Sequence, residues 1–119
     1  MKKPIIASVV ALALGAGAFT VLAQDPHVVG PDIYKTKLQN ERVRVYEITF
    51  KPGASIKPHR HPDHVVYVLT AGTLSIQEGN KAPVTMNGKA GDTFFLPAQT
   101  HSAKNIGKTT MKALVVEIR

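Results

Sequence analysis

Cysteine is absent from this chain of 119 residues. Its absence excludes disulfide bonds and thiolate ligands, so a metal site here would have to use histidine, carboxylate or amide groups. A disulfide-free protein of this size depends on its hydrophobic core for stability. Any further help would come from a bound metal or from an oligomer.

A long run of basic residues is also lacking. The formal net charge is +7, but after the first few residues the lysines and arginines are scattered and never form a run of five or more. Alternating pairs such as Lys35/Lys37 and Arg42/Arg44 are typical of the solvated face of a β-strand. This pattern disfavours nucleic acid as a partner, because proteins that bind nucleic acid concentrate positive charge on one surface.

The first 23 residues have the layout of a secretory signal peptide. Lys2 and Lys3 form a basic start, residues 5–19 are apolar and uncharged, and a Val-x-Ala sequence ends at Ala23. Cleavage before Gln24 would leave a mature chain with the length of one domain, exported to the periplasm or secreted, with no membrane span. The alternative is an uncleaved anchor, since the apolar stretch is just long enough to cross a bilayer.

Helical periodicity is hard to find after residue 24, and short strand patterns recur instead. They end at turn residues such as Pro52-Gly53, Ala71-Gly72 and Gly79-Asn80. This organisation predicts an all-β barrel or sandwich for residues 24–119. The predicted strands cover residues 33–38, 42–50, 55–61, 64–70, 73–78, 84–87, 92–96 and 111–118.

Three of the five histidines fall within six residues, in the sequence "HRHPDH". His59 and His61 are two residues apart, so on a strand they project from the same face and can meet one metal ion. His64 follows a Pro-Asp turn and can face back from the next strand. His101 comes forty residues later, whereas His27 has no partner nearby in the sequence and receives no role. An isolated H-x-H pair is weak support for a metal, because most histidines are surface or core residues.

The residues around these histidines resemble the two motifs of the cupin superfamily. The first motif has a glycine, five residues, H-x-H, three or four residues, a glutamate, six residues and a glycine. Here Gly53 precedes His59 and His61 by that spacing, and Gly72 closes the motif over 53–72. The resemblance covers residues 33–118 and implies a single-domain β-barrel of the jelly-roll or double-stranded β-helix type.

The second cupin motif has a glycine, five residues, P-x-G, two residues, a histidine, three residues and an asparagine. Gly91, Pro97, His101 and Asn105 match it over 91–105. Gln99 replaces the glycine of the motif, and the loop before His101 is one residue shorter than the motif prescribes.

The glutamate of the first motif is a metal ligand in the family, and this chain does not have it. Counting back from Gly72 puts Val65 in its place, whereas alignment on "VVYVL" puts His64 there. We prefer the second alignment, because His64 would complete a four-histidine site and Val65 would leave a gap. The choice decides which side chain faces the interior, since a slip of one residue reverses the faces of a strand.

The resemblance implies a divalent transition metal, one of Mn, Fe, Ni, Zn or Cu, with His59, His61, His64 and His101 as its ligands. Cupins often bind small molecules and often dimerise through their sheets, so a small-molecule ligand and a homodimer are expectations by analogy. The fold does not select the chemistry. A dioxygenase-like enzyme acting on a small organic molecule, a non-catalytic module that binds a metal or a small ligand, and a cupin without its metal all stay open.

Further candidates are the pocket-lining and carboxylate side chains in or beside the strands. The pattern offers no clear general base, because any of these carboxylates can face solvent. The pocket candidates are Tyr67, Gln77, Phe95 and Gln99, and the carboxylates are Glu47, Glu78, Asp92 and Glu117.

Overall fold

The computed structural model describes residues 24–119, and the predicted signal peptide at residues 1–23 lies outside this part of the chain. The described chain is almost entirely β-structure, which confirms the all-β prediction. One short helix precedes nine strands. The elements are α1 Pro26–Val29, β1 Tyr34–Gln39, β2 Val43–Phe50, β3 Ser55–His61, β4 His64–Thr70, β5 Gly72–Gln77, β6 Val84–Gly88, β7 Thr93–Leu96, β8 Gln99–Asn105 and β9 Met111–Ile118.

The strands form two antiparallel sheets. The five-stranded sheet has the order β1-β2-β9-β4-β7, and the four-stranded sheet has the order β3-β8-β5-β6. The chain crosses from one sheet to the other at β2–β3, β3–β4, β4–β5, β6–β7, β7–β8 and β8–β9. Because each sheet has one apolar face, the two sheets pack against each other around a common core.

The predicted strands agree with the observed ones to within one residue at each end, and β3, β4 and β9 have the predicted bounds. Strand β8 was not predicted, because its inward positions hold His101, Ala103 and Asn105 rather than large apolar residues. The helix α1 was not predicted either. Within residues 24–119, no helix is both long enough and apolar enough to span a lipid bilayer.

The interior changes from apolar to polar along β2 and β9. Their inward residues pair across the strands as Phe50 with Met111, Ile48 with Ala113 and Tyr46 with Val115, and all six are buried. Burial of a large apolar side chain contributes about 1.5–3 kcal/mol, so these rows anchor the five-stranded sheet. The next inward row holds Arg44 and Glu117, and the histidines gather at this polar end of the interior.

Candidate metal centre

A β-bulge in β3 turns two histidines toward the interior. The register between β3 and β8 shifts between Ile56 and His59, and both of these residues are buried although they are three positions apart. Regular alternation from Ile56 would turn His59 and His61 outward. The extra residue restores them to the inner face, which is a common use of bulges beside functional sites. Arg60, which lies between them, is exposed on the opposite face of the strand.

β8 brings His101 directly opposite His59. The two residues are Cα partners, and their ring centroids are 4.8 Å apart. The ring centroid of His61 lies 4.9 Å from that of His59 and 5.0 Å from that of His101. One nitrogen from each of the three rings lies within 4.8 Å of the other two, a spacing at which a single metal ion could contact all three.

His64 approaches this group from the other sheet. Its ring stacks on that of His61 with centroids 4.3 Å apart, but it lies 6.4 Å from the ring of His101 and outside the group of three. His64 is 1% exposed and faces the interior, whereas Val65 is half-buried and lies one position out of phase. Of the two residues considered for the missing glutamate, His64 is therefore the one that faces the site. Its role as a ligand stays a prediction.

Every histidine of the cluster has its Nδ1 atom held by an oxygen acceptor. Backbone carbonyls accept from two of them: His59 Nδ1 lies 2.8 Å from the carbonyl oxygen of Lys57, and His64 Nδ1 lies 2.8 Å from that of Pro62. Side chains hold the other two: Glu117 Oε2 lies 2.7 Å from His61 Nδ1, and Gln99 Oε1 lies 2.6 Å from His101 Nδ1. A backbone carbonyl can only accept, so the neutral rings of His59 and His64 carry their proton on Nδ1. The Nε2 lone pairs are then free for a metal.

The surroundings of the His59 Nε2 atom indicate whether these residues fit a metal ion. This atom is buried and has no hydrogen-bond partner among residues 24–119. An unpaired buried acceptor costs about 1–3 kcal/mol, so the fold bears a penalty that a metal ion would remove. Nε2 of His61 lies 3.3 Å from the hydroxyl of Tyr34, which donates to it. The donor set therefore fits a transition metal that accepts imidazole ligands.

Burial lowers the pKa of all four histidines. For His61 and His101 the pKa falls to about 2, because repulsion from the neighbouring histidines adds to the cost of burying a charged ring. The rings are therefore neutral at pH 7, which is the form that binds a metal.

One of the four candidate carboxylates, Glu117, belongs to the same cluster, although the sequence did not indicate its place beside the histidines. Glu117 is fully buried; it accepts from His61 Nδ1–H and from Arg44 Nε–H, the latter at 3.1 Å. The expectation that Arg44 lies on a solvated strand face is wrong, since its side chain is only 11% exposed. Burial raises the pKa of Glu117, and the Arg44 guanidinium opposes that rise. The alternation of β9 could have indicated Glu117, because it continues the inward series of Ala113 and Val115.

The aromatic residues near the site also differ from the predictions. Tyr67 and Phe95 are 44% and 60% exposed, on outward positions of β4 and β7, so they do not line the interior. Tyr34, which the motifs do not include, is buried against the rings of His59 and His61. His27 received no role in the sequence analysis. Its Nδ1 atom lies 2.8 Å from the hydroxyl oxygen of Tyr46.

Two neighbouring spaces lie at or near the histidines. A cavity of about 30 Å³ lies between the sheets beside His61, His64 and His101, room for about one water molecule. A larger, mainly apolar pocket of about 400 Å³ opens outside it, with Glu78, Lys81 and Asn87 among its polar lining and Gln99 nearest His101. Three apolar residues line both spaces and separate them: Ile76, Met86 and Leu96.

Comparison with known proteins identifies the family. The cupin domain model matches residues 46–117, which include the histidine cluster and Glu117. This chain belongs to the cupin family. A cupin domain protein from Bordetella pertussis Tohama I is 32% identical, with a TM-score of 0.67 and coverage of 73% of this chain and 92% of that one. No curated protein matches the chain.

Other solved structures extend the likeness in fold. A conserved protein with a double-stranded β-helix domain from Klebsiella pneumoniae is 27% identical, with a TM-score of 0.60 and coverage of 72% of this chain and 75% of that one. The DMSP lyase DddQ from Ruegeria pomeroyi is 16% identical, with a TM-score of 0.55 and coverage of 75% of this chain and 48% of that one. At that identity the likeness shows the fold alone.

The motif residues of this cupin have separate structural and site roles. Gly53 and Gly91 adopt φ values of 81° and 91°, which glycine tolerates best. Buried Asn105 donates to the carbonyls of Phe50 and Thr109 and accepts from Gly107 N–H, so it ties together the loop before β9. Gln99, which departs from the motif glycine, supplies the acceptor that orients His101.

Proposed function

We propose that this cupin binds a divalent transition metal through Nε2 of His59, His61 and His101, with His64 beside them. The observation that carries the proposal is the buried, unpaired Nε2 of His59, which lies in a group of three neutral imidazoles with fixed Nδ1 protons. Imidazole suits Mn, Fe, Ni, Zn and Cu to different degrees, and these donors do not select one of them.

We further propose that the protein is a metal-dependent enzyme acting on a small organic molecule. A bound metal would supply Lewis-acid catalysis and a template for orienting the reactants, as in oxygenase-type reactions. The 400 Å³ pocket is large enough for a small molecule, and Gln99 links its wall to His101. Its apolar lining favours a substrate with an apolar body, and Lys81 and Asn87 offer polar contacts at its edge.

A non-catalytic role in metal or ligand binding is the second candidate. The cavity beside the histidines has a volume of only about 30 Å³, and apolar side chains separate it from the outer pocket. A substrate in the outer pocket would reach the metal only if Ile76, Met86 or Leu96 changed rotamer. A binding module does not require that movement.

Metal analysis of untagged protein tests the first proposal. We expect about one transition metal per chain by element-resolved mass spectrometry. After chelator treatment, Zn²⁺ or Co²⁺ should bind the parent protein and His27→Ala, a control outside the cluster, with the same affinity. His59→Ala and His61→Ala should each lose most of the affinity, because each removes a donor atom. Parent-like binding in both variants would refute the metal site.

Oxygen uptake separates the enzyme from the binding module. Metal-loaded protein would be mixed with catechols, diketones and flavonols, and His59→Ala would serve as the metal-free control. Consumption of oxygen by the parent alone supports the enzyme. Perturbation of the Co²⁺ spectrum by these molecules without any turnover supports the binding module instead.

A further inference from the structure

The structure assigns Glu117 as the residue that positions His61 for metal binding and strengthens it as a donor, with Arg44 holding the carboxylate in place. This inference rests on the proposed metal site and deepens it. The cupin motifs quoted above do not include Glu117 or Arg44. Both reach the site from the five-stranded sheet, whereas His61 belongs to the four-stranded sheet.

The contact to His61 differs from those made by the other histidines. His59, His64 and His101 donate to neutral oxygens that lie two residues away in the chain. His61 donates to a carboxylate 56 residues away, at 2.7 Å. Among the Nδ1 contacts of the four histidines, this is the one that brings a carboxylate to the cluster and crosses from one sheet to the other. An anionic acceptor on Nδ1 makes imidazole a stronger donor through Nε2.

Arg44 fixes which oxygen of Glu117 faces His61. Its Nε–H donates to Oε1 at 3.1 Å, which leaves Oε2 for His61 Nδ1–H. The guanidinium also lies 3.6 Å from Asp25, directly before α1, and 5.4 Å from the centre of the Tyr46 ring. These contacts restrict the rotamer of Arg44, and Arg44 in turn restricts that of Glu117. The carboxylate is thus oriented before any metal arrives.

The charge balance of the cluster supports the same role. A divalent ion bound by neutral imidazoles alone would place two positive charges in a buried site beside Arg44. Buried charges are costly unless an opposite charge lies close to them. Within residues 24–119, Glu117 is the only fully buried carboxylate, so it is the one group that offers this compensation from the interior.

Metal affinity in matched variants tests the assignment. Glu117→Gln keeps the shape of the side chain and removes its charge. Glu47→Gln makes the same change at the half-buried Glu47, which alternates with the inward residues of β2. Zn²⁺ competition with a chelating dye should show about 10- to 100-fold weaker binding for Glu117→Gln and parent-like binding for Glu47→Gln. Unfolding curves of both variants would confirm that they are folded.

The proton on His61 gives a readout that needs no variant. Long-range ¹H–¹⁵N spectra of the metal-free parent should show a protonated Nδ1 and an unprotonated Nε2 on His61. A proton on Nε2 would overturn the assignment even if Glu117→Gln did not fold. Parent-like affinity in a folded Glu117→Gln would overturn it while leaving the metal site intact. Absence of metal binding by the parent would instead refute the proposed function, and this inference with it.

Discussion

Acid should destabilise the metal-free protein as the pH falls below ~6.5, where histidine in an unfolded chain becomes protonated. Burial lowers the pKa of His61 and His101 to about 2, whereas histidine in an unfolded chain titrates near ~6.5. Below pH ~6.5 the unfolded state therefore binds protons that the folded state does not. The contribution of these histidines to the free energy of unfolding is fully present above this pH, and it is lost progressively as the pH falls.

The expected loss can be worked out from these two residues. One pH unit below 6.5, each histidine removes about 1.4 kcal/mol of stability, so the pair removes about 2.8 kcal/mol at pH ~5.5. At pH ~4.5 the loss reaches about 5.4 kcal/mol, which is comparable to the total stability of a marginal domain. His59 and His64 add to the loss, since burial also lowers their pKa. The raised pKa of Glu117 opposes the loss, because the folded state takes up that proton at a higher pH than the unfolded state does.

Urea unfolding after chelator treatment measures this effect. With an m value of about 1.4 kcal/mol/M, the midpoint should fall by about 2 M between pH 7.5 and pH 5.5. The matched control is His101→Gln, which removes one of the two histidines and should reduce the pH dependence by about 1.4 kcal/mol per unit. A stability that stays constant over this range would refute the conclusion that neutral histidines are buried in the folded state.

Four further outcomes are expected. His64→Ala should weaken Zn²⁺ binding by about 10-fold, because the ring faces the site from outside the group of three; unchanged affinity in a dye competition would contradict its role. Gln99→Gly restores the motif residue but removes the acceptor for His101, so the same competition should show weaker binding, and stronger binding would contradict it. Asn105→Ala should cost about 3 kcal/mol in urea unfolding from three lost hydrogen bonds, with metal affinity unchanged once folded. Intact mass of exported protein should correspond to loss of residues 1–23, and a retained Lys2 would contradict cleavage.

The sequence determined the class of fold because its signals are local. Strand alternation depends on neighbouring residues, and glycine and proline mark turns through their own backbone limits. The H-x-H spacing likewise predicted that His59 and His61 share one face of β3, as they do. The motif spacings also pointed to His101, whose strand carried too little apolar pattern to be recognised.

The tertiary structure decided which way these faces point and what lies opposite them. The bulge before His59 sets the phase of β3, and it depends on pairing with β8 rather than on local sequence. Glu117 reaches His61 across 56 residues, and Arg44 reaches Glu117 across 73. The alternation of β9 can place Glu117 on an inward face, but no local pattern shows that a histidine lies opposite it, because the packing of the two sheets brings the two side chains together. The packing of the chain, and not its sequence pattern, therefore turned a row of histidines into a cluster with fixed protons and a buried counter-charge.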